Sequence, residues 1–147
     1  MFLVDTNVLL YAMDQDAPEH ARCRSLLEQW RAQASPWFCT WNILYELLRV
    51  STHPRVLRRP CTHAESWSFV RALLSSPSLE LLLHTERHAR VAQEVFDDTP
   101  ALRGNLYFDA HTAVLMREHG LRRIVTRDAD FHRFPFLEVL DPLRVER

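Results

Sequence analysis

The opening of the chain constrains it most: Phe2-Leu3-Val4 runs straight into Asp5, then Thr6-Asn7, then a second apolar run, Val8-Leu9-Leu10. A short, wholly apolar run closed by a turn residue predicts a strand buried on both faces, as in a parallel sheet. Thr6 or Asn7 is the expected cap of the helix that follows. Asp5 then stands at the carboxyl end of a central strand, where open α/β sheets place their ligands. A carboxylate at such a position also serves merely to cap a helix or offset its dipole, so Asp5 alone leaves both roles open.

Strands and helices alternate along the rest of the chain. The pattern predicts a helix over 18–31 with Asp16 or Ala17 near its cap, a strand at Trp37-Phe38-Cys39, and a helix from the Thr40 cap to about Thr52. Thr62-His63-Ala64-Glu65 reads as a capping box opening a helix to about Ser75. Leu79 to Leu83 reads as a buried strand, Thr85 as the cap of a helix to about Asp98, and Asn105 as the cap of a helix closed by Gly120. Arg123–Thr126 and Leu137–Leu140 are the last strands. The expected fold class is an α/β sandwich around a parallel sheet, a single domain over 1–147. At this length a chain buries roughly 68–70% of its unfolded surface without staples.

Composition narrows the chemistry. Only two glycines occur, Gly104 and Gly120, which rules out a G-x-G-x-x-G turn and a P-loop. All 18 basic residues are arginine, so Schiff-base chemistry and mechanisms with an obligatory lysine are excluded. A net charge of −1 is not that of a protein that coats nucleic acid by charge alone; a nucleic-acid substrate needs a local site. There is no apolar run of about 18 residues to span a membrane. Met1 leads directly into a strand without a basic n-region, which argues against a secretory signal. Cys23, Cys39 and Cys61 are odd in number, lack C-x-x-C spacing and read as buried thiols in a reducing cytoplasm.

Four acidic residues stand where solubility does not require them. Asp5 ends the first strand, and Asp128 follows the strand 123–126 by two residues, with Asp130 two further on. Glu46 falls on the flank of the apolar stripe Ile43, Leu44, Leu47 and Leu48, beside Asn42 and Val50. Asp109 shares the apolar side of its helix with Leu106, Ala113 and Met116, so its carboxylate needs a partner or a metal. Each has a mundane explanation: a dipole partner for Asp109, a pair with Arg49 for Glu46, an Asx-turn for Asp128. Taken together they would repel one another, and a hard divalent cation with oxygen ligands relieves that repulsion. Such a site suits phosphodiester hydrolysis, because a cation neutralises phosphate and activates water.

The residues around these acids carry a resemblance. Val4-Asp5-Thr6-Asn7, Leu44-Tyr45-Glu46, Asn105-Leu106-Tyr107-Phe108-Asp109-Ala110 and Thr126-Arg127-Asp128-Ala129-Asp130-Phe131 resemble, in order, the four acidic stations of the PIN-domain ribonucleases. The likeness spans essentially the whole chain, and its length looks like the VapC-type toxins of toxin–antitoxin pairs. The resemblance implies a three-layer α/β/α sandwich with sheet order 3-2-1-4-5 and RNA cleavage dependent on Mg²⁺ or Mn²⁺. It also implies a homodimer and an antitoxin that blocks the site. Asp5, Glu46, Asp109 and Asp128 would be the catalytic acids, ligating metal directly or through its waters. Thr6 and Asn7 would position them, and Thr126 would hydrogen-bond a metal-bound water. Asp128 is favoured over Asp130 as the last station because it lies nearer the strand end.

Other readings compete. Phosphoryl switches and haloacid-dehalogenase-like phosphatases also place an Asp after the first strand, but they use an essential lysine, and Asn7 stands where the latter want a second Asp. An inactive PIN-like binding module should have lost some of the acids. A housekeeping RNA-processing PIN nuclease differs from a toxin only in its biology. Among the eight histidines, His111 points about 200° away from Asp109 by helical period, and His84 and His88 lack an H-E-x-x-H pattern; they read as surface or capping residues. Trp30, Trp37, Trp41 and Trp67 are expected in the core. Tyr45, Arg49, Arg103 and Arg127 neighbour the acids and are candidates to touch RNA.

Overall fold

The computed structural model describes residues 1–144. Five short strands, β1 (Leu3–Val4), β2 (Trp37–Cys39), β3 (Leu79–Leu81), β4 (Arg123–Val125) and β5 (Glu138–Leu140), form one parallel sheet ordered β3-β2-β1-β4-β5. Helices α1 (Thr6–Met13) and α2 (His20–Ala32) join β1 to β2, and α3 (Trp41–Ser51) and α4 (His63–Leu74) join β2 to β3. Helices α5 (His88–Asp98) and α6 (Leu106–Glu118) carry the chain from β3 back past β1 to β4. Parallel crossovers are right-handed, so this reversal puts α5 and α6 on the face opposite α1 to α4. The three-layer sandwich and its strand order are those the resemblance implies. Connections leave β1 and β4 in opposite directions, and the crevice beyond their carboxyl ends is the switch point of the sheet.

Burial explains why β1 is central. Leu3 and Val4 are fully buried, with Leu3 in register with both Phe38 and Ile124 and Val4 with Val125. The ladder extends one residue beyond each of two strands: the Asp5 N–H donates to the Val125 carbonyl (3.1 Å) and the Thr126 N–H to the Leu140 carbonyl (3.0 Å). Asp5 and Thr126 are thereby fixed on the same rim. Ile43, Leu44 and Leu47 of α3 and Ala113 and Met116 of α6 are buried as expected, whereas Leu48 and Leu106, at the margins of those stripes, are only half-buried. Of the three cysteines, Cys23 and Cys39 are buried and Cys61, in the link before α4, is only half-buried.

Several local expectations are corrected. Asp5 itself caps α1, its side chain accepting from the Thr6 N–H, in place of Thr6 or Asn7. Glu19, without a side-chain cap bond, precedes α2 instead of Asp16 or Ala17. α5 starts at His88; Thr85 instead donates its N–H and hydroxyl to the buried Glu118 carboxylate (2.9 and 2.6 Å). Asn105 precedes α6 but makes no side-chain cap bond. β3 is a half-buried edge strand with Glu80 exposed, because only β2 flanks it. Trp30 and Trp37 are core, whereas Trp41 and Trp67 are 41% and 37% exposed, each lying off the buried stripe of its helix. The Thr40 cap and the Thr62–Glu65 capping box form as predicted.

Helix α6 ends as its glycine predicts. Gly120 has φ +70°, the Leu121 N–H reaches back to the Met116 carbonyl (2.8 Å) and the Gly120 N–H to the Arg117 carbonyl (3.3 Å), a Schellman closure. A side chain at this φ is strained although no atom crowds the position. Gly120→Ala should therefore cost about 1 kcal/mol in urea unfolding, and Gly120→Asn noticeably less, since Asn tolerates left-handed backbone better.

Candidate active site

The rim formed by the ends of β1 and β4 gathers the acidic residues. Asp5, only 7% exposed, accepts from the Thr6 N–H at Oδ1 (2.8 Å). Its Oδ2 accepts from the Asn7 amide (2.7 Å) and the Thr126 hydroxyl (2.7 Å). The Thr126 oxygen in turn accepts from the Asn7 amide (2.8 Å) and the Asp128 N–H (2.9 Å). Its one proton and both lone pairs are thus committed within the chain. Thr126 holds the Asp5 carboxylate, the Asn7 amide and the Asp128 backbone here, leaving nothing over for the water expected of it. Asn7 closes the loop by accepting from the Arg127 N–H (3.1 Å).

From this fixed base the other acids converge. The Thr6 hydroxyl donates to Glu46 (2.8 Å), which also lies 3.6 Å from Arg49. Asp128 accepts from the Asp130 N–H (2.9 Å) and so starts the 3₁₀ turn Ala129–Arg133. Asp109, Asp128 and Asp130 bring carboxylate oxygens within 4.8 Å of one another. Asp130 therefore joins the cluster alongside Asp128. Glu46, Asp109, Asp128 and Asp130 line a hollow of about 710 Å³; Asp5 lies buried at the base of the same acidic group.

The electrostatics follow from crowding. Burial pushes the Asp5 carboxyl up to about 6, against the hydrogen bonds from Thr126 and Thr6, with Glu46 and Asp128 adding to the rise. Burial also pushes Asp109 up to about 7, helped by the charges of Asp128, Asp5, Asp130 and Glu46. Asp109 accepts no hydrogen bond and meets no cation among the described residues. A half-buried, unpartnered carboxylate among four like charges suits a hard divalent ion: the donors are all oxygen, several in number, and electrostatically unsatisfied.

Around this group, Arg49 and Arg103 line the hollow as their positions in the sequence suggested. Arg127 instead pairs with Glu19 (2.5 Å) and approaches Asp141 (3.8 Å). Arg133 and Phe108 also line the hollow; the sequence reading passed over both. For Phe108 a signal existed, since it directly precedes Asp109. His111 faces His88 (ring centroids 5.7 Å apart), on the side of α6 away from the acids, as helical period requires.

Fold and site together define an α/β nuclease-like domain whose acidic hollow lies at the switch point of a parallel sheet. The PIN-domain profile matches residues 2–137, and the chain belongs to the PIN-domain family. Among its curated relatives, Ribonuclease VapC43 of Mycobacterium tuberculosis is 35% identical over 143 residues, 97% of this chain and 96% of the relative. Ribonuclease VapC48 of the same organism is 30% identical over 138 residues, 94% of each. Among solved structures, M. tuberculosis VapC20, described as a sarcin–ricin loop cleaving toxin, superposes with TM-score 0.69 at 19% identity, covering 96% of this chain and all (100%) of that one. VapBC2 from Rickettsia felis, bound to a promoter DNA fragment, gives TM-score 0.65 at 19% identity over 94% and 96% of the two chains. At these identities the structural neighbours speak for the fold.

The raised carboxyls have a consequence for stability. A carboxyl whose folded pKa exceeds its unfolded value of 3.8 binds its proton more tightly in the native state. Folding stability is then lost as pH rises from about 4 until the folded group has also ionised, near 6 for Asp5 and 7 for Asp109. In chelator-treated protein, Asp109→Asn should gain stability relative to the parent as pH rises from 4.5 to 7.5, by about 1–3 kcal/mol in urea unfolding. A constant difference across that range would contradict the crowding.

Proposed function

We propose that this chain is a divalent-cation-dependent endoribonuclease of the VapC type, the toxin of a toxin–antitoxin pair acting in the cytoplasm as a homodimer. The observation that carries the nuclease reading is Asp109, unpartnered beside Asp5, Glu46, Asp128 and Asp130. The toxin assignment draws on relatives that are named VapC ribonucleases and on a neighbour solved as a VapBC complex. Three free cysteines accord with a reducing compartment, and no helix among the described residues is long and apolar enough to cross a membrane.

In this reading Asp5, Glu46, Asp109 and Asp128 hold Mg²⁺ or Mn²⁺, directly or through water, with Asp130 beside them. When bound, such an ion neutralises phosphate charge and lowers the pKa of a water that attacks phosphorus. The chain's own work is positioning. Thr126 and Asn7 hold Oδ2 of Asp5, and Thr6 holds Oε2 of Glu46, so neither acid turns away from the hollow. Asp5 and Asp109 keep their protons in acid and must give them up before accepting a cation. Arg49, Arg103 and Arg133 line the hollow and present guanidinium forks to backbone phosphates.

Purified protein should cut single-stranded RNA with Mg²⁺ or Mn²⁺ and stop when the ion is chelated. Asp5→Asn should lose at least about 100-fold of that activity, and Asn7→Ala roughly 10- to 100-fold, since it orients a ligand from outside. Both variants should keep the parent's circular dichroism. Full-rate cleavage by Asp5→Asn would overturn the site. For the toxin role, induced expression should arrest bacterial growth, and Asp5→Asn should relieve the arrest; harmless expression of the parent would leave a housekeeping nuclease.

A further inference from the structure

The acidic hollow opens onto a second one of different character. Tyr45 of α3 and Phe108 at the start of α6 wall a depression of about 340 Å³, edged by Asn42, Glu46 and Arg49. Glu46, Arg49 and Phe108 border both hollows, so the apolar floor begins where the acidic one ends. Tyr45 is 67% and Phe108 61% exposed. Two large rings left in water beside a polar cleft mark a binding surface.

We propose that this depression is a base-binding subsite, in which an unpaired nucleobase flanking the cut phosphate stacks on Phe108 and Tyr45. The inference rests on the ribonuclease reading and names its substrate class: RNA with a splayed, single-stranded nucleotide at the cut. An A-form duplex keeps its bases inside the helix, out of reach of such a shelf, whereas loops and single strands offer their faces to aromatic side chains. Stacking needs only a flat ring, and the Asn42 amide at the edge supplies hydrogen-bonding capacity toward a base edge. Charge agrees with this occupant, since the adjoining hollow carries Arg49, Arg103 and Arg133 for the backbone. A second copy of the chain fits less well. It would seal Glu46 and Arg49, which lie 3.6 Å apart with side chains 45% and 66% exposed, under an apolar surface and force the removal of water from both charges. A bound nucleotide leaves them wet.

The test uses Asp5→Asn protein as a non-cleaving trap and a short oligouridine carrying one 2-aminopurine, whose fluorescence falls on stacking. Adding Phe108→Leu should weaken binding roughly tenfold and abolish the quenching, while Phe108→Tyr, which keeps the ring, should restore both. In the cleaving protein the same pair of substitutions should raise KM roughly tenfold and return it to the parent value. Quenching, affinity and KM all indifferent to Phe108→Leu would overturn the subsite. So would light scattering in which Phe108→Leu turns a dimer into monomers and RNA binding weakens only in step, since the rings would then join two copies. Parent protein that cuts no RNA with either cation would bring down the ribonuclease reading, and this inference with it; a parent that cuts while Phe108→Leu behaves identically sinks the subsite alone.

Discussion

Asp5 closes the central strand, caps the first helix and accepts three hydrogen bonds, and through Thr126 and Thr6, which bond it, Asp128 and Glu46 are tied to that anchorage. A buried carboxylate loses its hydration and tolerates the loss only when protein donors replace the water. Here the donors come from both sides of the switch point: Thr6 and Asn7 follow β1, Thr126 follows β4. The backbone ladder between Asp5 and Val125 holds those two strand ends in register, so the donors are in place before any ligand arrives. Even so the carboxyl stays raised to about 6, because burial and the neighbouring charges outweigh the bonds.

Fixed and unsatisfied carboxylates divide the work. Asp5 and Asp128 are locked by hydrogen bonds and Glu46 is steadied by Thr6, whereas Asp109 meets only like charge. Nearby arginines do not cure this. Arg49 sits at Glu46, Arg133 at Asp130, and Arg127 turns toward Glu19 and Asp141. The first two are exposed pairs, weak in water, and none reaches Asp109. The protein thus neutralises the edges of the cluster and leaves its middle negative, which is the charge pattern that favours a cation over an anion.

Legibility in the sequence tracked how local the cause was. The Thr40 and Thr62 caps and the Gly120 closure depend on residues within a turn of one another, and they could be read directly. Convergence of Asp5, Glu46, Asp109 and Asp128 was legible because strand ends and helix flanks restrict where a carboxylate points, and the resemblance put those stations in order. What escaped depended on partners distant in sequence. Thr85 looks like a cap until α6 brings Glu118 beside it. Trp41 and Trp67 look like core by residue type, yet the stripes of α3 and α4 run past them. Thr126 was placed at the site, but its saturation by Asp5, Asn7 and Asp128 appears only once β1 and β4 are neighbours.

Net charge sets the last condition. At −1 the chain has no overall field to draw RNA onto its surface, and the acids at the site's centre repel phosphate outright. Affinity must therefore be local and of more than one kind. In the reading proposed above, a bound cation would reverse the sign of the centre, and Arg49, Arg103 and Arg133 place three guanidinium groups at its wall. These contacts are sequence-blind, because they address the backbone. Discrimination among RNAs needs groups that address bases, and next to the hollow the exposed groups suited to that are the rings of Tyr45 and Phe108 with the Asn42 amide. A metal centre able to cut any phosphodiester becomes selective only through such neighbours, and on the proposed reading the apolar wall beside the acids is what would let this chain choose one RNA over another.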